Sequence, residues 1–294
     1  MYSEIDKNKR KSFTLIVIFV IFILLLGWIY SQVTNSGYFG IIIASIVALA
    51  MSLGGYYSGD KMALKTSGAK HILKKDNPYV YRIVENLSIT AGIPCPKIHI
   101  IKDNSLNAFA TGRDPKHASI ALTTGIINAL DKEELEGVIA HELSHIKNYD
   151  IRLMTLVVVL VGITSLLSHW FLRIRFLGGG RSNKNQSSLS TFFLIAGIIL
   201  IILSPIISQL IKMAISRKRE FLADSSGALL TRYPEGLANA LDKISKNNQP
   251  LKKANPATAH LYISNPFGNI KTFTSKIFNT HPPIEERIKA LRKI

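Results

Sequence analysis

The fold and chemistry of this chain turn on the run His141-Glu142-Leu143-Ser144-His145. It lies in a stretch of helical character that starts at Asp131, whose carboxylate can cap the first turn while Glu134 reaches back to it. Two histidines four residues apart share one helical face, so their imidazoles can converge on a single ion. Glu142, one residue after the first histidine, projects to the side of that face. There it can take a proton from a water that the metal polarises, without becoming a ligand itself. Imidazole ligands suit zinc, and a catalytic zinc keeps three protein ligands and one open position. Histidine is sparse here, 8 in 294 residues, so the spacing is a specific signal.

The third ligand must come from elsewhere, because no histidine follows within the next dozen residues. Glu220, in Arg217-Lys218-Arg219-Glu220-Phe221-Leu222-Ala223-Asp224, is the best candidate. It follows the apolar run 192–211 much as the histidine pair precedes the apolar run 153–172. An antiparallel hairpin of those runs would return the chain beside its own start. Asp224, one turn on, can accept a hydrogen bond from a ligand imidazole and fix its tautomer. The competing reading is an ordinary i, i+4 acidic pair on a basic, solvated helix.

Farther out, residues 12–59 contain no charged side chain. They hold two apolar runs, 13–30 and 38–53, around a polar turn. A bilayer core takes about 20 apolar helical residues, and with 153–172 and 192–211 the chain offers four such runs. A cleaved signal would have a shorter apolar region and a small-residue cleavage site, so the first run reads as a retained anchor. Lysines and arginines precede the first run and follow the second, which places both ends of that hairpin in the cytoplasm. The net charge of +17 is therefore a topological signal. No basic stripe interleaved with aromatics is present, which argues against nucleic acid as a partner. The single Cys95 rules out an intramolecular disulfide and fits a reducing compartment. It sits between two prolines with no basic neighbour to activate it.

The expected fold class is an α-helical membrane protein of about four transmembrane helices with a mainly α, α+β zincin-like protease domain carrying a small β-sheet. Residues 1–57 form the transmembrane hairpin, and 58–150 with 212–294 form one cytoplasmic protease domain. Residues 151–211 supply the third and fourth spans around a Gly/Ser-rich turn. Helices are expected over Pro78–Ala91, 212–230 and Pro234–Lys246, with another starting at Pro282-Pro283. Strands are expected at Lys97–Ile101, around Asn107–Ala110 and over 117–123. No proline interrupts 131–170, so the motif helix is expected to run on into the third span.

In the order and spacing of five segments the chain resembles the HtpX group of integral-membrane zinc metallopeptidases, distant relatives of the CAAX prenyl endopeptidases. The segments are Asn107-Ala108-Phe109-Ala110-Thr111-Gly112, Leu122-Thr123-Thr124-Gly125, the His141–His145 motif, Glu220-Phe221-Leu222-Ala223-Asp224, and Thr280-His281-Pro282-Pro283 with Glu286-Arg287. The resemblance implies that Glu220 is the third zinc ligand, that Asp224 supports the ligands, and that Asn107, Ala108, Phe109 and Ala110 form an edge strand to which substrate adds. It also implies turnover of misfolded or damaged membrane proteins. His281, held extended before Pro282, can donate to the oxyanion of the reaction or pack at the last helix. Arg287 can support Asp224 or a ligand carboxylate. The expectation is a zinc endopeptidase of a prokaryotic plasma membrane, embedded in the bilayer, facing the cytoplasm and acting on protein substrates. A prenyl-protein endopeptidase and a zinc-binding sensor are the rivals.

Overall fold

The apolar run that opens the chain folds as α1, Tyr2–Thr34, and turns at Asn35 and Gly37, both at positive φ, into α2, Phe39–Ser67. The computed structural model describes residues 2–177, 195, 217–247, 249–268 and 282–294. Among these, Ile5–Thr34 and Phe39–Ser67 are long and apolar enough to cross a membrane. Phe19, Phe22, Ile23 and Leu26 of α1 pack on Ala44 and Ala48 of α2, whereas Ile18, Ile21, Trp28, Ile46 and Leu49 face outward. An exposed apolar face of that extent suits lipid rather than water. Apart from residue 195, the run expected as the fourth span, 192–211, lies outside the described residues, and among the described residues there are two candidate membrane helices.

The soluble elements begin where local signals place them. Asn77 Oδ1 accepts the Val80 N–H at 3.1 Å, Pro78 occupies the first turn, and Gly92 closes α3, Pro78–Ala91, in the left-handed conformation. Four strands form the sheet, one before α3 and three after it: β1, Lys70–His71; β2, Lys97–Ile101; β3, Ala108–Gly112; and β4, Ala118–Thr123. Their order is β1-β2-β4-β3, with β2 and β4 parallel and the other pairs antiparallel. β3 is thus an edge, beginning one residue later than expected. β4 likewise starts at Ala118, because Pro115–His117 is a 3-10 turn capped by Asp114.

Strand alternation divides the sheet's contacts between two cores. Ile98, Ala108, Ala110, Ile120 and Leu122 face the main core. Ile101, Phe109 and Ala121 face the other way, onto Ala63 and Leu64 at the end of α2 and onto Met154 and Val158. The short α4, Thr124–Ala129, leads to α5, Lys132–Lys147. Glu134 Oε2 accepts the Asp131 N–H at 2.9 Å, the local start signal read from sequence. α5 is buried from Gly137 to Ile146, packed between the sheet and three helices: α3, α7 (Arg217–Thr231) and α8 (Pro234–Lys246). The last helix, α9, Ile284–Leu291, lies on α8 and α7.

One expectation is overturned. The motif helix does not run on unbroken: α5 ends at Lys147, Tyr149 takes φ 60°, and a separate 28-residue helix α6, Asp150–Leu177, begins. The cause is tertiary. The Asn148 carbonyl and the Asp150 carboxylate, at the break, both accept hydrogen bonds from Asn8 of α1 at 3.0 and 2.7 Å. Asp150 also meets His145 at 3.0 Å. A straight helix would carry Asp150 away from both.

The closeness of α5 and α8 depends on Gly137, where a Cβ would lie 2.7 Å from the Leu237 nitrogen and 2.8 Å from its Cα. Backbone atoms cannot yield as a flexible side chain can. Gly137→Val is therefore expected to destabilise the protein by about 1–3 kcal/mol, the usual cost of overpacking. Thermal unfolding in detergent checks this, with the same variant at unconstrained Gly54 as the comparison.

Candidate metal centre

α5 carries His141 and His145 on one face, and α7 crosses it closely enough to bring Glu220 to the same point. The crossing needs Gly227, where a Cβ would stand 3.1 Å from the His141 nitrogen. The two Nε2 atoms are 3.1 Å apart. Glu220 lies 3.6 Å from His145 Nε2 and 4.0 Å from His141 Nε2. Among the described residues these three form the group able to hold a metal ion, their donor atoms all within 4.8 Å of one another. Ligands bound to one tetrahedral zinc at roughly 2.0–2.1 Å sit about 3.3 Å apart, so the donor set fits that size of cation.

The other ring nitrogens are held in turn. His141 Nδ1 faces Asp224 Oδ1 at 2.9 Å, and His145 Nδ1 faces Asp150 Oδ2 at 3.0 Å. A proton on each Nδ1 leaves each Nε2 lone pair directed at the common point. Arg287, wholly buried on α9, forks onto Asp224 through Nε at 2.8 Å and Nη2 at 2.6 Å. Its Nη1 reaches Glu220 at 3.3 Å. Arg287 thus lies against both Asp224 and Glu220.

Burial sets the titration of these groups. It pushes the Glu142 carboxyl up to about 7, with Glu220 adding repulsion while His145 and the Ala110 N–H, which donates to the carboxylate, act against the rise. Burial would lower His145, but its bond to Asp150 and the nearby Glu220 outweigh that and raise it to about 9. A proton and a divalent cation thus compete for His145. Burial would raise Asp224, yet Arg287 brings it down to about 2. It is therefore a carboxylate at any working pH.

Asp150 was not among the residues singled out from sequence. Its signal was an acid five positions past the second histidine, invisible as a partner while the helix was read as continuous. Asn107 stands just before β3, its Oδ1 accepting the Ala108 N–H at 3.1 Å and its Nδ2 donating to the Ser264 carbonyl at 3.1 Å. Ala108, Phe109 and Ala110 lie in the edge strand, but that edge is already engaged. Ile263 donates to the Ala108 carbonyl at 3.0 Å, and the Gly112 N–H donates to Thr155 Oγ1 at 3.1 Å. His281 lies outside the described residues. Of the other described histidines, His260 meets the Met154 carbonyl at 2.9 Å, His117 pairs with Asp114, and the rings of His71 and His99 meet edge to face.

Removing the guanidinium would leave two carboxylates buried beside each other. Breaking a buried pair in this way costs roughly 3–5 kcal/mol, so Arg287→Met is expected to lower the unfolding temperature far more than Arg292→Met, whose partner Glu235 is exposed. Thermal unfolding in detergent, with zinc present and with a chelator, measures both.

The model of Peptidase family M48 matches residues 74–294. Among curated proteins the chain is 48% identical to a "Protease HtpX homolog" of Dictyoglomus thermophilum over 293 residues, covering 99% of this chain and 94% of that one. It is 44% identical to a protein of the same description from Lactobacillus helveticus, covering both completely. Among solved structures it resembles S. mikatae Ste24p with a TM-score of 0.52 at 19% identity, over 99% of this chain and 67% of that one. That last likeness is one of fold.

Proposed function

The chain belongs to Peptidase family M48 and is a membrane-bound metallopeptidase acting on peptide or protein substrates, and from that premise we propose that it is a zinc endopeptidase whose metal is held by His141, His145 and Glu220. What carries the reading is the pair of imidazole nitrogens 3.1 Å apart, each backed at Nδ1 by a carboxylate, in a buried site with a third donor beside them. When bound, zinc would supply Lewis-acid polarisation of the attacking water and of the scissile carbonyl. Glu142, beside the ligands and with its pKa raised to about 7, takes the proton of the attacking water and passes it to the leaving amine. Asp224 and Asp150 fix the two imidazole tautomers, Arg287 restrains Asp224 and Glu220, and His281 donates to the oxyanion.

Substrate lies along β3, its main chain adding at the edge formed by Asn107, Ala108, Phe109 and Ala110. For that, Ile263 must release the Ala108 carbonyl. The 58–150 and 212–294 segments form one protease domain on the cytoplasmic side of a prokaryotic plasma membrane. The 151–211 segment crosses twice, giving four spans. A site whose sheet rests on the ends of membrane helices suits substrates presented at the bilayer, and damaged membrane proteins are the class proposed. Relatives described as proteases at 42–48% identity favour this over the prenyl-protein alternative.

Purified in detergent, stripped with a chelator and reloaded, the chain is expected to take up one zinc and cleave an unfolded model protein. Glu220→Gln loses the metal and the activity together. Glu142→Gln keeps the metal and loses on the order of 10²–10⁴ in turnover, and His281→Ala keeps it and loses on the order of 10²–10³. Full zinc occupancy in Glu220→Gln would place the third ligand elsewhere.

Topology is tested with Ser187→Cys in a Cys95→Ser background. Labelling by a membrane-impermeant thiol reagent in intact cells is expected if the 151–211 segment crosses twice. Protection until lysis would mean instead that it dips in and returns.

A further inference from the structure

Behind His145, on the side away from the other ligands, three parts of the chain meet. Asp150 Oδ2 faces His145 Nδ1 at 3.0 Å, and Asp150 Oδ1 accepts from Asn8 Nδ2 at 2.7 Å, with Arg219 Nη1 3.6 Å away. Asn8 belongs to α1, close to the start of the first apolar helix, and is separated from Asp150 by 142 positions. Its side chain is buried, 2% exposed. A buried amide is costly unless bonded. Here the Nδ2 group donates twice, to Asp150 and at 3.0 Å to the Asn148 carbonyl. Both of those partners are acceptors, which fixes the amide's orientation.

The placement of these bonds matters more than their number. Asn148 and Asp150 flank Tyr149, the residue at φ 60° that breaks α5 from α6. The Tyr149 ring lies 4.9 Å from the Lys9 ammonium, the next residue of α1. α1 therefore grips the break on both sides, and the break is what turns the Asp150 carboxylate back onto His145. A neutral donor suits the position. It orients Asp150 while leaving the negative charge that His145 needs opposite its Nδ1.

We propose that Asn8 is a positioning residue of the metal centre: its side-chain amide, presented by the first membrane helix, holds Asp150 and through it His145, so that zinc affinity depends on the Asn8 amide itself. The inference rests on the reading of His145 as a ligand, and it assigns the membrane hairpin a part in the site beyond anchoring.

The test compares zinc affinity, by competition with a chromophoric chelator, and thermal unfolding for the full-length protein in detergent. His145→Ala is the reference for the metal site and is expected to lose stoichiometric zinc. Asn8→Ala is expected to bind zinc about tenfold more weakly, the lower end of what loss of an outer-shell partner costs. Phe19→Ala, which loosens α1 in the apolar core that includes α2 and part of α6 without touching Asp150, is expected to lose thermal stability and keep wild-type affinity. Asn8→Leu, isosteric and apolar, carries the same expectation as the alanine variant if that one fails to accumulate. Wild-type affinity in the Asn8 variants, with His145→Ala losing zinc, would overturn the inference and leave the metal site standing. An equal loss in Phe19→Ala would show that Asn8 acts through stability alone. Zinc retained by His145→Ala would remove the site reading itself.

Discussion

Charge balance in a dry core is the constraint that the rest of the structure answers to. His141, Glu142, His145, Asp150, Glu220, Asp224 and Arg287 are each at most 4% exposed. Moving a single ion that far from water costs several kcal/mol even after the protein relaxes. The four carboxylates here face two guanidiniums, Arg219 and Arg287, which leaves two negative charges uncompensated. A divalent cation between neutral imidazoles cancels that remainder. Two protons do the same, one on Glu142 and one on His145, and these are the carboxyl and the imidazole of the cluster whose pKa rises, to about 7 and about 9. The same electrostatic demand sets the charge of the cation that the cluster would accept.

That arrangement dictates helix geometry. α5 must be buried on every side to keep water from the cluster, which is why Leu135, Val138, Ile139, Leu143 and Ile146 surround its axis with no exposed member. It must also be approached closely by α7 and α8, and glycines at 227 and 137 stand where those helices touch it. The sheet cannot be a free surface either. Its face away from α5 holds Ile101, Phe109 and Ala121 against the end of α2 and the start of α6. Detaching the hairpin from the protease unit would expose that face as well as part the Asn8 bonds.

What could be read from sequence follows the range of the forces involved. α3, β2 and α8 were expected with the bounds observed, because their ends are set by neighbours in the chain: Asn77 and Gly92 for α3, Pro234 for α8. The histidine pair was legible since its geometry is a property of one helix turn. The break at Tyr149 was not, because its cause lies at Asn8, and nothing between residues 131 and 170 announces it. Asp150 went unnoticed for the same reason. Glu220 could be nominated but not separated from a surface acid by spacing alone, since its meaning depends on the crossing at Gly227. The coverage of β3 by Ile263 is likewise a contact across 155 positions that no local pattern encodes.

The engaged edge of β3 bears on how the proposed reading would achieve selectivity. A substrate strand adding at Ala108 exchanges one main-chain hydrogen bond, from Ile263, for another of the same kind. Such an exchange is close to neutral, since a net bond contributes only about 1 kcal/mol even against water. Main-chain pairing then gives register but little affinity. The discrimination falls to what the displaced segment carries with it: Tyr262, buried with its ring 5.0 Å from Phe109, and Ser264, bonded to Asn107. A chain able to replace those side-chain contacts is held, and one offering backbone alone is not. Extended, apolar segments meet that condition, whereas folded proteins keep theirs buried. On the proposed reading, a protease with this edge would distinguish unfolded from folded chains without recognising any particular sequence.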